Sequence, residues 1–90
     1  MSRSAERLDH QDVAVEVRGP DEWIAGAPTG GRRLHVYRVA ADDWLVSEVG
    51  RRNEGRGADL AQAITALGWD GPACDWWRLV PAALEDVLRR

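Results

Sequence analysis

The chain has 90 residues, of which 44% are hydrophobic and 30% charged, and a net charge of −3 at pH 7. These values are typical of one globular domain, and they exclude the strongly basic balance of a protein that binds nucleic acid over its whole surface. All twelve basic residues are arginine, and five tryptophans accompany no phenylalanine. Because a tryptophan side chain buries roughly 200 Å², three or four of them would supply much of the apolar area of so small a core.

The cysteine count and the apolar runs indicate a cytoplasmic protein. A single cysteine excludes an intramolecular disulfide and a cysteine-based zinc site, which fits a reducing compartment. No apolar run approaches the roughly 18–20 residues that a membrane span needs. The segment from Met1 to Asp12 is polar, without the apolar centre of a signal peptide, and is predicted to be a disordered tail. The folded domain is expected over residues 13–90, with no membrane partner.

The first predicted strand runs from Val13 to Arg18. Its three valines share one face, while Glu16 and Arg18 lie on the other, which is typical of a strand with one side in water. Gly19 and Pro20 end it, since proline cannot donate to a strand ladder. The next apolar segment, Trp23–Ala25, is either a short returning strand or a packed loop. A glycine-rich connector follows at residues 26–31.

A hairpin is predicted at the centre of the chain. The segments Leu34–Val39 and Trp44–Val49 have the strongest strand character, and Ala40–Asp43 suits a four-residue reversal built around a type I turn. Both strands carry apolar residues on both faces. They are therefore expected near the middle of the sheet, with one face partly covered.

The best local prediction is a helix that begins after Asp59 and ends at Gly68. The carboxylate of Asp59 is placed to cap the helix, with Gln62 as its reciprocal capping partner, and Gly68 suits a left-handed C-cap. Four apolar residues recur at the i, i+3, i+4, i+7 spacing of a buried stripe: Leu60, Ala63, Ile64 and Leu67.

A second helix is predicted to begin at Pro81, because a proline in a helix interior costs about 3 kcal/mol and costs little at the first position. The preceding segment, Trp76–Val80, is either a strand or the start of a helix. The order of elements predicts an α+β fold, with a small antiparallel sheet of three to four strands and two helices packed on one face. The opposite face, with Glu16, Arg18 and Tyr37, is expected to stay partly open.

Little in the sequence points to catalysis. Ser47, Thr65 and Cys74 are candidate nucleophiles, but none lies in a nucleophile-elbow pattern. His35 is expected to face Ser47 across the hairpin as part of a cross-strand hydrogen bond. The two histidines lack the spaced companions of a metal site. We therefore predict a protein that is not an enzyme and that uses no metal and no cofactor.

The tryptophans and Tyr37 suggest a protein-binding surface, since aromatic residues are enriched at interface hot spots. The candidate contact residues are Trp23, Trp76, Trp77 and Tyr37. The favoured hypothesis is a small protein-interaction module that binds a protein partner or a second copy of itself. It would use an exposed face or edge of the sheet together with the tryptophans.

The alternative hypothesis rests on an arginine-rich loop at residues 50–57. Arg51, Arg52 and Arg56 lie among three glycines, directly before a helix N-terminus. The backbone N–H groups of such a terminus favour phosphate or carboxylate, and arginine adds paired donors. The loop is therefore a candidate binding site for an anion or a nucleic acid.

A resemblance extends over Leu34–Leu67. Strand, turn, strand, a glycine-containing loop and a helix with the sequence Ala-Asp-Leu-Ala-Gln-Ala-Ile at residues 58–64 resemble the N-terminal domains of small bacterial antitoxins with a reduced RNase H-like fold. The proline-rich loop usual in those domains is missing. The resemblance implies a regulatory binding protein, in line with the alternative hypothesis.

Overall fold

A computed structural model describes residues 10–27, 31–68 and 72–90. The elements, in chain order, are β1 (Ala14–Gly19), β2 (Glu22–Gly26), β3 (Arg33–Ala40), β4 (Asp43–Glu48), β5 (Glu54–Gly57), α1 (Leu60–Leu67) and α2 (Val80–Leu88). Short 3₁₀ helices precede β1, at His10–Asp12, and α2, at Pro72–Leu79. The predicted α+β class is confirmed. The predicted sheet of three to four strands is too small, since the described residues form five.

The sheet is an antiparallel meander in which each strand pairs with the next one along the chain. Consequently, β1 and β5 are its two edges. The segment Trp23–Ala25, for which a strand and a loop were both open, belongs to β2, and Trp23 pairs with Val17 on one side and Val36 on the other. The central reversal is tighter than a four-residue loop, because Ala40 pairs with Asp43.

One face of the sheet carries the core. Val36 and Val46 face each other across the central strands and are at most 1% exposed. Both helices contribute buried side chains to the same apolar cluster. Helix α1 packs on β5 and β4, and α2 packs on β1. The predicted arrangement of two helices on one face of an antiparallel sheet is therefore confirmed.

Helix α1 has the predicted caps. The Asp59 carboxylate accepts a hydrogen bond from the Gln62 backbone N–H at 2.8 Å, and the Gln62 side chain accepts one from the Ala58 N–H at 3.1 Å. Gly68 ends the helix at φ 73°, in the left-handed region. The predicted stripe is buried along its whole length: Leu60, Ala63, Ile64 and Leu67. Local sequence therefore accounts for the bounds and the orientation of this helix.

Strand β5 occupies the second half of the stretch predicted as a polar loop. Its two glycines lie on the core face, with Gly55 opposite Val46 and Gly57 opposite Trp44. A Cβ atom on Gly55 would lie 2.1 Å from the Ala63 carbonyl oxygen. The backbone of α1 thus packs directly on the backbone of β5. Because no apolar side chain takes part on the strand's side, β5 lacks the hydrophobic alternation by which strands are predicted.

The segments before β1 and α2 are helical. Residues 1–9 of the predicted disordered tail lie outside the described residues, as do residues 28–30 of the glycine-rich connector. Disorder is the wrong prediction for His10–Asp12, because His10 Nε2 lies 2.6 Å from Asp86 Oδ2 on α2. The segment before Pro81 is a 3₁₀ helix rather than a strand, and α2 begins one residue before that proline.

Replacing Gly55 with alanine should lower the free energy of unfolding by about 3 kcal/mol or more, because the added methyl group would overlap backbone atoms of α1. Gly19→Ala is the matched control, since its Cβ would meet nothing closer than 3.8 Å. Urea denaturation of the two variants makes the comparison. Equal stability of the two would contradict the close packing of α1 on β5.

Candidate interaction surface

Two of the four candidate contact residues are part of the core. Trp23 and Trp76 are 2% and 3% exposed, so neither ring is available to a partner, and their prediction as contact residues is wrong. The cause is position: Trp23 lies on the core side of an interior strand, where its ring stacks on that of Trp44 at 6.0 Å. The Arg38 guanidinium lies 5.6 Å and 5.7 Å from the centroids of these two rings.

The other two candidates lie on different sides of the sheet. Trp77 is half-buried against the core cluster, with the Arg78 guanidinium 5.9 Å from its ring centroid. Tyr37 is half-buried on the face that the helices leave open. The structure does not bring the predicted aromatic residues together in one patch, and Tyr37 is the member of the set that lies on the open face.

We call this open side of the sheet the outer face. In the part of the chain that the structure describes, no element packs on it, and none of its side chains is fully buried. Its residues are Glu16, Arg18, Glu22, Ile24, Arg33, His35, Tyr37, Val39, Asp43, Leu45, Ser47, Glu54 and Arg56. Sequence reasoning identified the openness of this face but overlooked Glu22, Ile24 and Leu45, which the alternation of their strands could have placed there.

The middle of the outer face is apolar. Ile24, Tyr37 and Leu45 are all half-buried, and Tyr37 and Leu45 lie directly opposite each other on β3 and β4. A shallow concavity of about 450 Å³ adjoins Tyr37 and Leu45, with Pro20 and Val39 in its wall. Val39 is 55% exposed. The outer face therefore offers an apolar strip, formed by the facing pair Tyr37 and Leu45 with Ile24 diagonal to Tyr37, and an adjacent hollow.

The charges on the outer face largely neutralise one another. The first pair joins Glu22 to His35 at 2.7 Å, and the second joins Arg56 Nε to Asp43 Oδ1 at 2.8 Å. The hydrogen bond from Arg56 lowers the pKa of the Asp43 carboxyl, and the same bond raises the pKa of Arg56. Another exposed pair connects Arg18 to Glu16 at 3.0 Å. The strip is thus bordered by hydrogen-bonded polar pairs rather than by charge of one sign.

Contacts with neighbouring side chains hold the His35 ring in its position on the outer face. Its ring centroid lies 4.4 Å from that of Tyr37, and its Nε2 bonds to Glu22. The predicted proximity to Ser47 is confirmed in register, since the two residues are opposite each other on β3 and β4. Among the described residues, no group of three or more His, Cys, Asp or Glu side chains is placed to hold a metal ion. The absence of enzymatic activity stays a prediction.

Two of the three arginines of the predicted anion site pair with different carboxylates. Arg56 pairs with Asp43, whereas the Nε of Arg51 lies 3.5 Å from Glu48. Asp43 and Glu48 are at opposite ends of β4, about 17 Å apart along the strand. Arg52 is exposed, and no ion pair of it is seen within the described ranges. The Asp59 carboxylate already caps the helix N-terminus. The arginines therefore do not converge on one anion.

Glu48 is the one buried charged residue seen in the described ranges, at 3% exposed. Its two carboxylate oxygens accept hydrogen bonds from Arg32 at 2.6 Å and 2.8 Å, and the Nε of Arg51 lies 3.5 Å from Oε2. The hydrogen bond from Arg32 is the main reason that the pKa of Glu48 lies below its ordinary value. This clamp fixes the end of β4 to the residue that precedes β3, and we assign it a structural role.

The chain matches no protein-family model, no curated protein and no solved structure. In the described ranges, neither helix combines the length and the apolar character required to cross a bilayer.

Replacing Arg32 with alanine should lower the free energy of unfolding at pH 7 by about 2–3 kcal/mol, because a buried carboxylate loses its paired donors. The neighbouring exposed Arg33 provides a matched control, and Arg33→Ala should change stability by less than about 0.5 kcal/mol. Urea denaturation at pH 7 measures both effects.

Arg32→Ala should also alter the pH dependence of the free energy of unfolding. The pKa of Glu48 is lower in the folded protein than its ordinary value of 4.5, so its stabilising contribution is present above that pH and is lost as the pH falls through the folded pKa. The difference between the wild type and Arg32→Ala should therefore shrink from pH 7 to pH 3. A difference that stays constant over this range would show that the clamp is not ionic.

Proposed function

We propose that the protein is a non-enzymatic binding module that engages a partner protein through the outer face. The observation that carries this proposal is the half-buried apolar strip of Ile24, Tyr37 and Leu45 on a sheet face that no described element covers. An antiparallel sheet with one wet face usually presents polar side chains there. An apolar centre with a tyrosine, bordered by polar residues, is instead typical of a protein contact surface.

The charges of the outer face favour a protein over a nucleic acid. A surface that follows a phosphate backbone presents unpaired arginines or lysines. Here Arg18 and Arg56 are bonded to neighbouring carboxylates, and the chain as a whole has a net charge of −3. The matching partner is a folded protein with an apolar patch and a mixed polar border, which could exchange contacts with these ion pairs at little electrostatic cost.

The size of the face indicates the strength of binding. Five strands at a spacing of about 4.8 Å and a length of about 17 Å give a projected area of roughly 400 Å². A standard stable interface uses roughly 800 Å² on each partner. One outer face by itself thus suits a transient contact, and a stable complex requires additional surface.

Photo-crosslinking in the cells that make the protein tests this proposal. A photoreactive amino acid in place of Tyr37 should give a discrete cross-linked product, because that side chain lies at the centre of the outer face. The control carries the same group in place of Leu88, which is 46% exposed on the helical side. We expect no such product from the control. Equal products from both positions, or none from Tyr37, would exclude the outer face as the contact surface.

Binding to a protein identified in this way should depend on Leu45. Leu45→Asp places a charge in the apolar strip and should weaken the affinity at least tenfold, in line with the energy of a hot spot. Leu88→Asp is the matched control and should leave the affinity unchanged. Isothermal calorimetry measures both, and a melting temperature for each variant shows that the fold is retained. Unchanged affinity in Leu45→Asp would contradict the proposed contact.

A further inference from the structure

The two edges of the sheet differ in how well they are protected. β5 has four residues, two of them glycines on which α1 packs directly. β1 has six residues without a proline, and Val17 on its core side is 59% exposed, the highest value among the exposed large apolar residues. An edge strand offers unpaired N–H and C=O groups to any strand that lies beside it. In the described part of the chain, no strand pairs with the free side of β1, which is therefore the better candidate to receive a further strand.

We propose that β1 pairs with β1 of a second copy of this chain, antiparallel and about a two-fold axis at Val17, so that the two sheets join into one of ten strands. This dimer uses the edge of the sheet rather than the outer face. It therefore goes beyond the proposed function and does not depend on what occupies that face.

The two faces of the sheet restrict the possible registers. Residues directly opposite each other in a ladder project to the same face. A two-fold dimer that continues the sheet must therefore place its axis at one residue, which then opposes its own copy. With the axis at Val17, Glu16 of each copy lies opposite Arg18 of the other, and the two Val17 side chains meet on the core side. Because the register of β1 with β2 shifts after Val17, the new ladder has three opposed positions on each strand, at Glu16, Val17 and Arg18.

The registers with the axis at a neighbouring residue have less favourable pairs of charges. An axis at Glu16 would set two glutamates directly opposite each other, and an axis at Arg18 would do the same with two arginines. Like charges in this position destabilise a strand pair. An axis at Val15 would place Glu16 opposite Ala14 and gain no ion pair. Val17 is thus the central position that brings opposite charges together, and it does so twice.

The side chains required for these pairs are exposed on the outer face. Glu16 and Arg18 bond to each other at 3.0 Å within one chain, with 57% and 51% of their side chains exposed. Their intrachain bond can therefore be exchanged for bonds between copies. Arg18 has no opposite residue in β2, because the register of that pair shifts between Val17 and Gly19. The resulting bulge adds twist, which limits the new ladder to a short one.

The helices leave room for this arrangement. α2 packs on β1, where Val15 borders Ala83 and Val87. With the axis at Val17, the two Val15 residues are four positions apart along the joined strands, or about 13 Å. This exceeds the 8–10 Å between the axes of packed helices. The joined sheet would also double the outer face to roughly 800 Å², the area that a stable interface requires.

Disulfide trapping tests the position of the axis. Val17→Cys is made in a Cys74→Ser background, so that the introduced thiol is the sole one. Opposed residues of an antiparallel pair have Cα atoms about 4.5–5.5 Å apart, within the range of a disulfide. Mild oxidation should therefore convert most of the protein to a covalent dimer. Val39→Cys, similarly exposed on the outer face, should stay monomeric. No trapping at position 17, or equal trapping at both, overturns the proposal.

Charge exchange tests the register. Glu16→Arg or Arg18→Glu alone should raise the dissociation constant of the dimer about tenfold, since each change sets like charges opposite each other twice. The double variant, with both substitutions, should restore the wild-type value. Sedimentation velocity measures the constants. A double variant as weak as either single one would reject this register, and a wild type that stays monomeric at millimolar concentration would reject the dimer.

Leu45→Ser separates the two proposals, because it changes the outer face and leaves β1 intact. Its dissociation constant for the dimer should equal that of the wild type. A weakened dimer in Leu45→Ser would place the contact between copies on the outer face and overturn pairing through β1.

Discussion

The contact between the backbones of α1 and β5 determines much of the architecture. Gly55 and Gly57 leave no side chain between the strand and the helix, so α1 lies closer to the sheet than side-chain packing would allow. This fixes which face of the sheet receives the helices. Since α2 joins the same cluster from the other edge, the described core is one-sided. Both helices therefore share one face, and the described part of the chain leaves the outer face uncovered.

Sequence reasoning succeeded where the determining interaction is local. The caps and the buried stripe of α1 follow from residues within one short segment, and the valine alternation identifies β1. Prediction from the sequence failed where an element distant in the chain determines the local structure. β5 has no apolar pattern because its packing partner is a helix backbone, and Trp23 is buried because β2 has a neighbouring strand on both sides. Neither fact can be read from the adjacent residues.

The sequence predicted that one face of the sheet would be open, but it did not identify the residues that form the candidate surface. Apolar residues on both faces of the two central strands predicted apolar side chains outside the core, and Tyr37 and Leu45 are such residues, whereas Ile24 lies on β2. The tryptophans were misleading as indicators of a protein-binding surface, because large rings in a small domain are buried in the core first. The arginines were misleading as well: Arg56 is held by Asp43, which only the fold brings near it, and Arg51 lies beside Glu48, three residues before it.

The meander has a consequence for how the molecule folds and opens. Every ladder joins neighbours in sequence, so the sheet can grow by successive hairpins with little loss of chain entropy. The contact of α2 with β1, supported by the His10–Asp86 pair, instead joins opposite ends of the described chain. This closure has the largest entropic cost and few contacts to offset it. It is expected to form last and to exchange its amide hydrogens first, ahead of the central hairpin.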